Sequence, residues 1–174
     1  AKIVHDLRVI WNTQDIITRK GGKPVQSKTG HAFIKQAMRF NQAIYGGEIS
    51  AHHYFRDFAY CDSGMIPLVL VADLISRSGR SLGDWIKDRL EAFPSSGEVN
   101  FKVENASKAI DDVVSAYRAG AVSIDETDGV SLSFKNWRFN LRCSNTEPLV
   151  RLNIETKGGT DKLETKVASI AAIL

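Results

Sequence analysis

The chain has 174 residues, 43 % of them hydrophobic and 25 % charged, which is the balance of a globular protein rather than a disordered or fibrous one. Its formal charge of +3 is dispersed, with no Lys/Arg stripe interleaved with aromatics; this argues against nucleic acid as a partner and suits a small anionic substrate. No apolar run approaches the roughly 20 residues that span a bilayer, so no membrane partner is expected.

From the start, Lys2 to Val9 is an apolar-rich strand, and Thr13 to Lys20 is a short helix that Gly21-Gly22 terminates. Pro24 to Ser27 is a second strand. His31 to Arg39 follows as a helix with Phe33, Ile34, Ala37 and Met38 on one face. Ala43 to Gly47 is strand-like. Asp62-Ser63-Gly64 then reads as the cap of a strongly apolar helix from Met65 to about Ser78, and Leu82 to Leu90 is a further helix. This alternation predicts an α/β unit with a mixed, mostly parallel sheet. Phe93-Pro94-Ser95-Ser96-Gly97 breaks the pattern and marks a boundary, giving units of 1–95 and 96–174. Beyond it come a strand (Val99 to Val103), an amphipathic helix (Ser107 to Arg118) and three strands (Ala121 to Asp125, Val130 to Phe134, Trp137 to Leu141). A last strand (Leu149 to Glu155) and helix (Lys162 to Leu174) complete the chain. Asp128-Gly129 is a hairpin signal, and the whole reads as a small α+β domain with an antiparallel sheet.

Arg142 to Pro148, Arg-Cys-Ser-Asn-Thr-Glu-Pro, is the segment richest in chemistry. Arg142 offers a planar fork of donors, while Ser144, Asn145 and Thr146 add short donors that tolerate tight turns. Pro148 favours an extended Glu147, and apolar-alternating strands flank the turn. This inventory suits an anion with three or four acceptor oxygens and is read as a phosphate-binding loop.

A second cluster lies in Gly-Gly-Glu-Ile-Ser-Ala-His-His from Gly46. Two glycines permit close ligand approach, the Glu48 carboxylate can accept from two neighbouring sugar hydroxyls, and the Ser50 hydroxyl can support it. On the residues alone, a solvated acidic loop is the plainer reading. His52 and His53, adjacent on an extended segment, point to opposite faces, so the pair is not taken as a metal site and no metal ligand is assigned to this chain. Arg8 lies at the carboxyl end of the first strand, where α/β sheets place ligands; a solvated arginine explains it equally well. Lys28 precedes the Thr-Gly-His turn and is less diagnostic. Cys61 and Cys143 lack zinc-ligand spacing and read as free thiols in a reducing, cytoplasmic setting.

Three segments carry a family resemblance. The Arg142 loop resembles the C-terminal phosphate loop of the phosphohexomutases, the phosphomannomutase and phosphoglucomutase superfamily. GGEISAHHYFRDFAYCDSG, Gly46 to Gly64, resembles that family's sugar-binding loop in its bacterial phosphomannomutase form. SKTGHAFIK, Ser27 to Lys35, resembles the stretch that precedes it. The resemblance implies a three-layer α/β third domain at 1–95 and an α+β C-terminal domain at 96–174. It implies that Glu48 and Ser50 contact the hexose 3- and 4-hydroxyls, that His31, His52 and Arg8 face the substrate, and that Arg142, Ser144, Asn145 and Thr146 hold the phosphate. Arg8 stands where many members have lysine.

The family's phosphoserine loop and its Asp-Gly-Asp magnesium motif do not occur in this sequence. The chain therefore resembles the C-terminal half of a four-domain enzyme, with no catalytic residue of its own and no activity expected alone. The missing N-terminal domains are its implied partners, Mg2+ the parent enzyme's cofactor, and a hexose bisphosphate its intermediate or activator. Mannose 6-phosphate and mannose 1-phosphate are the implied substrates. A phosphoglucomutase or dual-specificity enzyme, or a non-catalytic phosphosugar-binding module, remains the alternative.

Overall fold

The computed structural model describes residues 1–144, 147–159 and 161–174, which form two compact units, Ala1–Arg89 and Leu90–Leu174. The first unit contains β1 (Lys2–His5), α1 (Trp11–Arg19), β2 (Lys23–Gln26), α2 (His31–Asn41) and β3 (Tyr45–Gly47). It continues through β4 (His53–Phe55), β5 (Cys61–Asp62) and α3 (Met65–Ser78), and the division between the units falls within α4 (Leu82–Ala92).

Its sheet has the order β2-β1-β3-β4-β5. Two crossovers, through α1 and α2, make β1 parallel to both neighbours, with Val4 opposite Val25 on one side and Gly46 on the other. β3, β4 and β5 then pair antiparallel, so the sheet is mixed as expected, with its parallel part confined to three strands. β1 stops at His5 rather than at Val9, because Asp6 and Arg8 turn out of the ladder to bond each other. Arg89 of α4 reaches α1, donating to Asn12 Oδ1 at 2.6 Å and Asp15 Oδ2 at 2.7 Å; that bond leads the causes that hold the Asp15 carboxyl below its usual range.

Val4, Ile34, Met38, Ala43 and Tyr54 form the buried core of this unit. Gly46 fixes how closely α2 approaches β3. A Cβ there would lie 2.6 Å from Met38 Sδ and 2.9 Å from Ile34 Cγ2, closer than atoms pack. α3 is as apolar as its sequence promised, yet none of its residues is buried, and Met65, Leu68, Val69 and Leu70 are more than half exposed.

The second unit contains β6 (Ser95–Lys102), α5 (Ala106–Tyr117), β7 (Ser123–Asp125), β8 (Val130–Ser133), β9 (Trp137–Cys143), β10 (Leu149–Thr156) and α6 (Asp161–Ala171). Because β6 begins at Ser95, the Ser-Ser-Gly stretch read as the boundary belongs to this sheet. The order is β6-β10-β9-β8-β7, and every pairing is antiparallel. Asn105 caps α5 by accepting from the Lys108 N–H at 3.0 Å. Alternation divides β9 and β10 cleanly. Phe139, Leu141, Val150, Leu152 and Ile154 join Ile110, Val113 and Ile170 in the core. The intervening positions form a polar ladder, with Arg138 opposite Glu155 and Asn140 opposite Asn153 buried and Arg142 opposite Arg151 half-buried. Arg138 donates to Glu155 at 2.8 Å, pairing two charges that would be costly to bury singly.

Candidate functional site

In the first unit, β1, the start of α2 and the loop between β3 and β4 converge at one end of the sheet. Two internal hydrogen bonds close that loop: Glu48 N–H donates to the His52 carbonyl at 3.0 Å, and Ala51 N–H to the Glu48 carbonyl at 3.0 Å. The closure holds Ala51 at φ 64°, in the left-handed region, which costs a non-glycine residue about 1–2 kcal/mol. Strain of this kind concentrates at binding sites, where surrounding bonds impose the geometry.

Glu48 is 8 % exposed, so the solvated-loop reading fails. Its Oε1 accepts from the Tyr54 hydroxyl at 2.6 Å and its Oε2 from the Gly30 N–H at 3.1 Å. Each carboxylate oxygen has further lone-pair capacity, so the anchored group can still accept from a ligand. Burial, then the bond to Glu48, raise the Tyr54 phenol's pKa and keep it a donor. Ser50 is exposed at the crest of the loop.

His31 is the first residue of α2, and its ring centroid lies 4.5 Å from that of His52. The two histidines are thus neighbours although the sequence separates them widely. His52 and His53 do face opposite ways. His52 Nδ1 meets Asp62 Oδ2 at 2.8 Å, whereas His53 Nδ1 meets the Tyr45 hydroxyl at 2.6 Å. Asp62 also accepts from the His53 N–H at 2.9 Å. Burial would raise its carboxyl pKa, but the bonds from His52 and His53 outweigh this and hold it below the usual value. The Asp62-Ser63-Gly64 turn, read as a cap, bonds the start of α3 through Ser63, whose Oγ accepts from the Ile66 N–H at 3.3 Å, while the Asp62 carboxylate is turned to the histidines.

Arg8 is 7 % exposed and pairs with Asp6 at 2.6 Å. This excludes the freely solvated reading. Asp6 Oδ2 also accepts from the Ile49 N–H at 3.0 Å, so one carboxylate ties the arginine to the sugar-loop candidate. Lys28 lies over the Phe33 ring at 5.8 Å.

In the second unit, β9 and β10 bracket the phosphate-loop candidate, closed by Ser144 N–H donating to the Leu149 carbonyl at 2.9 Å. Asn145 and Thr146, expected to add donors, lie outside the described residues. Arg142 donates to Glu98 Oε2 at 2.8 Å, and Arg151 sits 3.4 Å from Glu98 Oε1 while donating to Ser144 Oγ at 3.3 Å. Two guanidinium groups thus share one carboxylate, and the buried Nε atoms of both have no hydrogen-bond partner among the described residues. Glu98 offsets one of the two facing cations, which leaves a net positive charge that a further anion would balance. Glu98, Arg151, Asp6 and Asp62 were not foreseen. Only Arg151 left a signal, as a polar residue at every second position of an apolar strand.

Residues 1–93 match the phosphoglucomutase/phosphomannomutase alpha/beta/alpha domain III, and residues 98–173 match the C-terminal domain of the same family. Over all 174 residues the chain is 58 % identical to a phosphomannomutase of Escherichia coli, covering 38 % of that protein. It is 55 % identical to a phosphohexose mutase of Xanthomonas campestris, covering 39 %. A crystal structure of a phosphoglucomutase/phosphomannomutase family protein from Burkholderia thailandensis superimposes with a TM-score of 0.77 at 26 % identity, over 100 % of this chain and 37 % of that one. The chain thus spans little more than a third of the length of these relatives. It belongs to the phosphoglucomutase/phosphomannomutase family, of which it comprises domain III and the C-terminal domain.

Proposed function

We propose that this chain is the substrate-recognition part of a phosphomannomutase interconverting mannose 6-phosphate and mannose 1-phosphate through a hexose bisphosphate. The observation that carries the reading is the anchored Glu48: a buried carboxylate fixed by Gly30 and Tyr54, on a strained loop beside two imidazoles. Identity of 58 % to a phosphomannomutase supports mannose, while a family description naming both mutases keeps phosphoglucomutase as the second reading.

In this reading Glu48 and Ser50 accept from and donate to the hexose 3- and 4-hydroxyls. His31 and His52 stand beside the sugar, and Arg8 holds the loop through Asp6 and Ile49. Arg142, with Ser144, Asn145 and Thr146, binds the phosphate that is not reacting, and Arg151 adds a second guanidinium that the sequence reading lacked. The sugar must present each end in turn, and gripping the middle hydroxyls serves both orientations. Phosphoryl transfer itself is assigned to domains outside this chain, and the chain alone is expected to be inactive. Magnesium belongs there too. The three-donor cluster among the described residues, His31, His52 and Asp62, offers two imidazole nitrogens where magnesium takes oxygens, so it does not fit that ion.

A charge-assisted hydrogen bond is worth about 1.5–3 kcal/mol, so Arg142→Ala should weaken mannose 1-phosphate binding at least about tenfold. Calorimetric titration measures this, and unchanged affinity would defeat the assignment.

A further inference from the structure

His31, His52 and Asp62 come from three separate elements: the first turn of α2, the loop before β4, and the end of β5. Their donor atoms all lie within 4.8 Å of one another, and His52 Nδ1 and Asp62 Oδ2 are already 2.8 Å apart. Asp62 is held in the sheet, opposite Tyr54, and accepts the His53 N–H, so its position does not depend on His52 alone. His31 is exposed, at the open side of the cluster.

We propose that His31, His52 and Asp62 form a binding site for a divalent transition metal of the zinc class. Two imidazoles and one carboxylate are the donor set of open zinc sites, in which three protein ligands leave a position for water. The set is too rich in nitrogen for magnesium or calcium. Bonds of about 2.0–2.1 Å at tetrahedral angles put donors roughly 3.3 Å apart. The His52–Asp62 pair, 2.8 Å apart, has to open by about half an ångström to meet that requirement, and His31 reaches it by rotating an exposed side chain. On binding, the metal takes the place of the hydrogen bond between His52 Nδ1 and Asp62 Oδ2, and the neutral imidazole carries its one proton on Nε2. Because the same imidazoles are assigned to the phosphosugar, metal and sugar exclude each other. That consequence rests on the assignment above, whereas the metal site itself does not.

Zn2+ and Co2+ titrated separately into the 174-residue chain, above neutral pH and without any sugar, test the site. Calorimetry should report one bound Zn2+, and Co2+ should develop the strong visible absorption of low-coordinate geometry. His31→Ala, His52→Ala and Asp62→Ala should each weaken Zn2+ binding by at least about tenfold, since even outer-shell changes weaken metal sites 10–100-fold. His53→Ala, which faces Tyr45, and Cys61→Ser, beside Asp62 but exposed, should bind as the parent chain does. Circular dichroism of each variant guards against unfolding. Absence of Zn2+ binding, or binding that survives His31→Ala and His52→Ala but is lost in Cys61→Ser, would overturn the proposal.

Discussion

Glu48, Arg142 and the histidines stand out in the sequence because each sits in a short motif, although the residues around Glu48 alone favour a solvated loop and only the fold buries it. Their partners do not stand out. Asp6 meets Ile49 across 43 positions and Glu98 meets Arg142 across 44, so only folding brings these carboxylates to the loops they hold. The Asp-Ser-Gly turn before α3 does bond the helix start through Ser63, but nothing local reveals that β4 and β5 turn the Asp62 carboxylate towards His52. Pairing of β3 with β4 half-buries Tyr45, whose phenol is thereby pushed up to about 12. A raised pKa contributes stability that is complete below the unfolded value of 10 and is lost as pH rises through 12. Alkaline unfolding monitored by circular dichroism should therefore be less steep over that interval in Tyr45→Phe. An identical profile would mean that Tyr45 ionises in the folded chain as freely as in the unfolded one.

At the scale of elements, helices and long strands were found almost where periodicity put them, because a dozen residues of pattern outweigh any one neighbour. β4 and β5 escaped notice, being three and two residues long and too short to show a period of two. Gly-Gly before Glu48 was read as a source of backbone freedom for the ligand. The structure adds a packing reason at the first of the pair, because α2 lies against β3 with no room for a side chain. Gly46→Ala should thus destabilise the first unit by about 1–3 kcal/mol, the usual effect of overpacking, as measured by urea denaturation. Gly129 is the corresponding point in the second unit. It sits in the Asp128-Gly129 hairpin with φ 67°, and a Cβ there would lie 2.7 Å from Arg142 Cβ. Substituting it would disturb β9 just where the phosphate-loop candidate begins.

Across the whole molecule, both units assemble complete sheets with their own buried cores, yet α3 and α4 carry Leu68, Val69, Leu70, Leu74, Leu82 and Ile86 into solvent. Large apolar side chains exposed in this number on two helices favour association. The 174-residue chain should self-associate with rising concentration in light scattering, and the double variant Leu68→Lys, Leu74→Lys should not; equal association by both would locate the contact elsewhere. The proposed function assigns phosphosugar recognition to the Glu48 loop and to the Arg142 loop. Backbone amide NMR of the chain during titration with mannose 1-phosphate, with free mannose and inorganic phosphate as controls, tests it directly. The account predicts joint shifts at Glu48 to His52 and at Arg142 to Ser144 with the phosphosugar only. Shifts in neither loop at saturating phosphosugar, or equal shifts with phosphate alone, would contradict it.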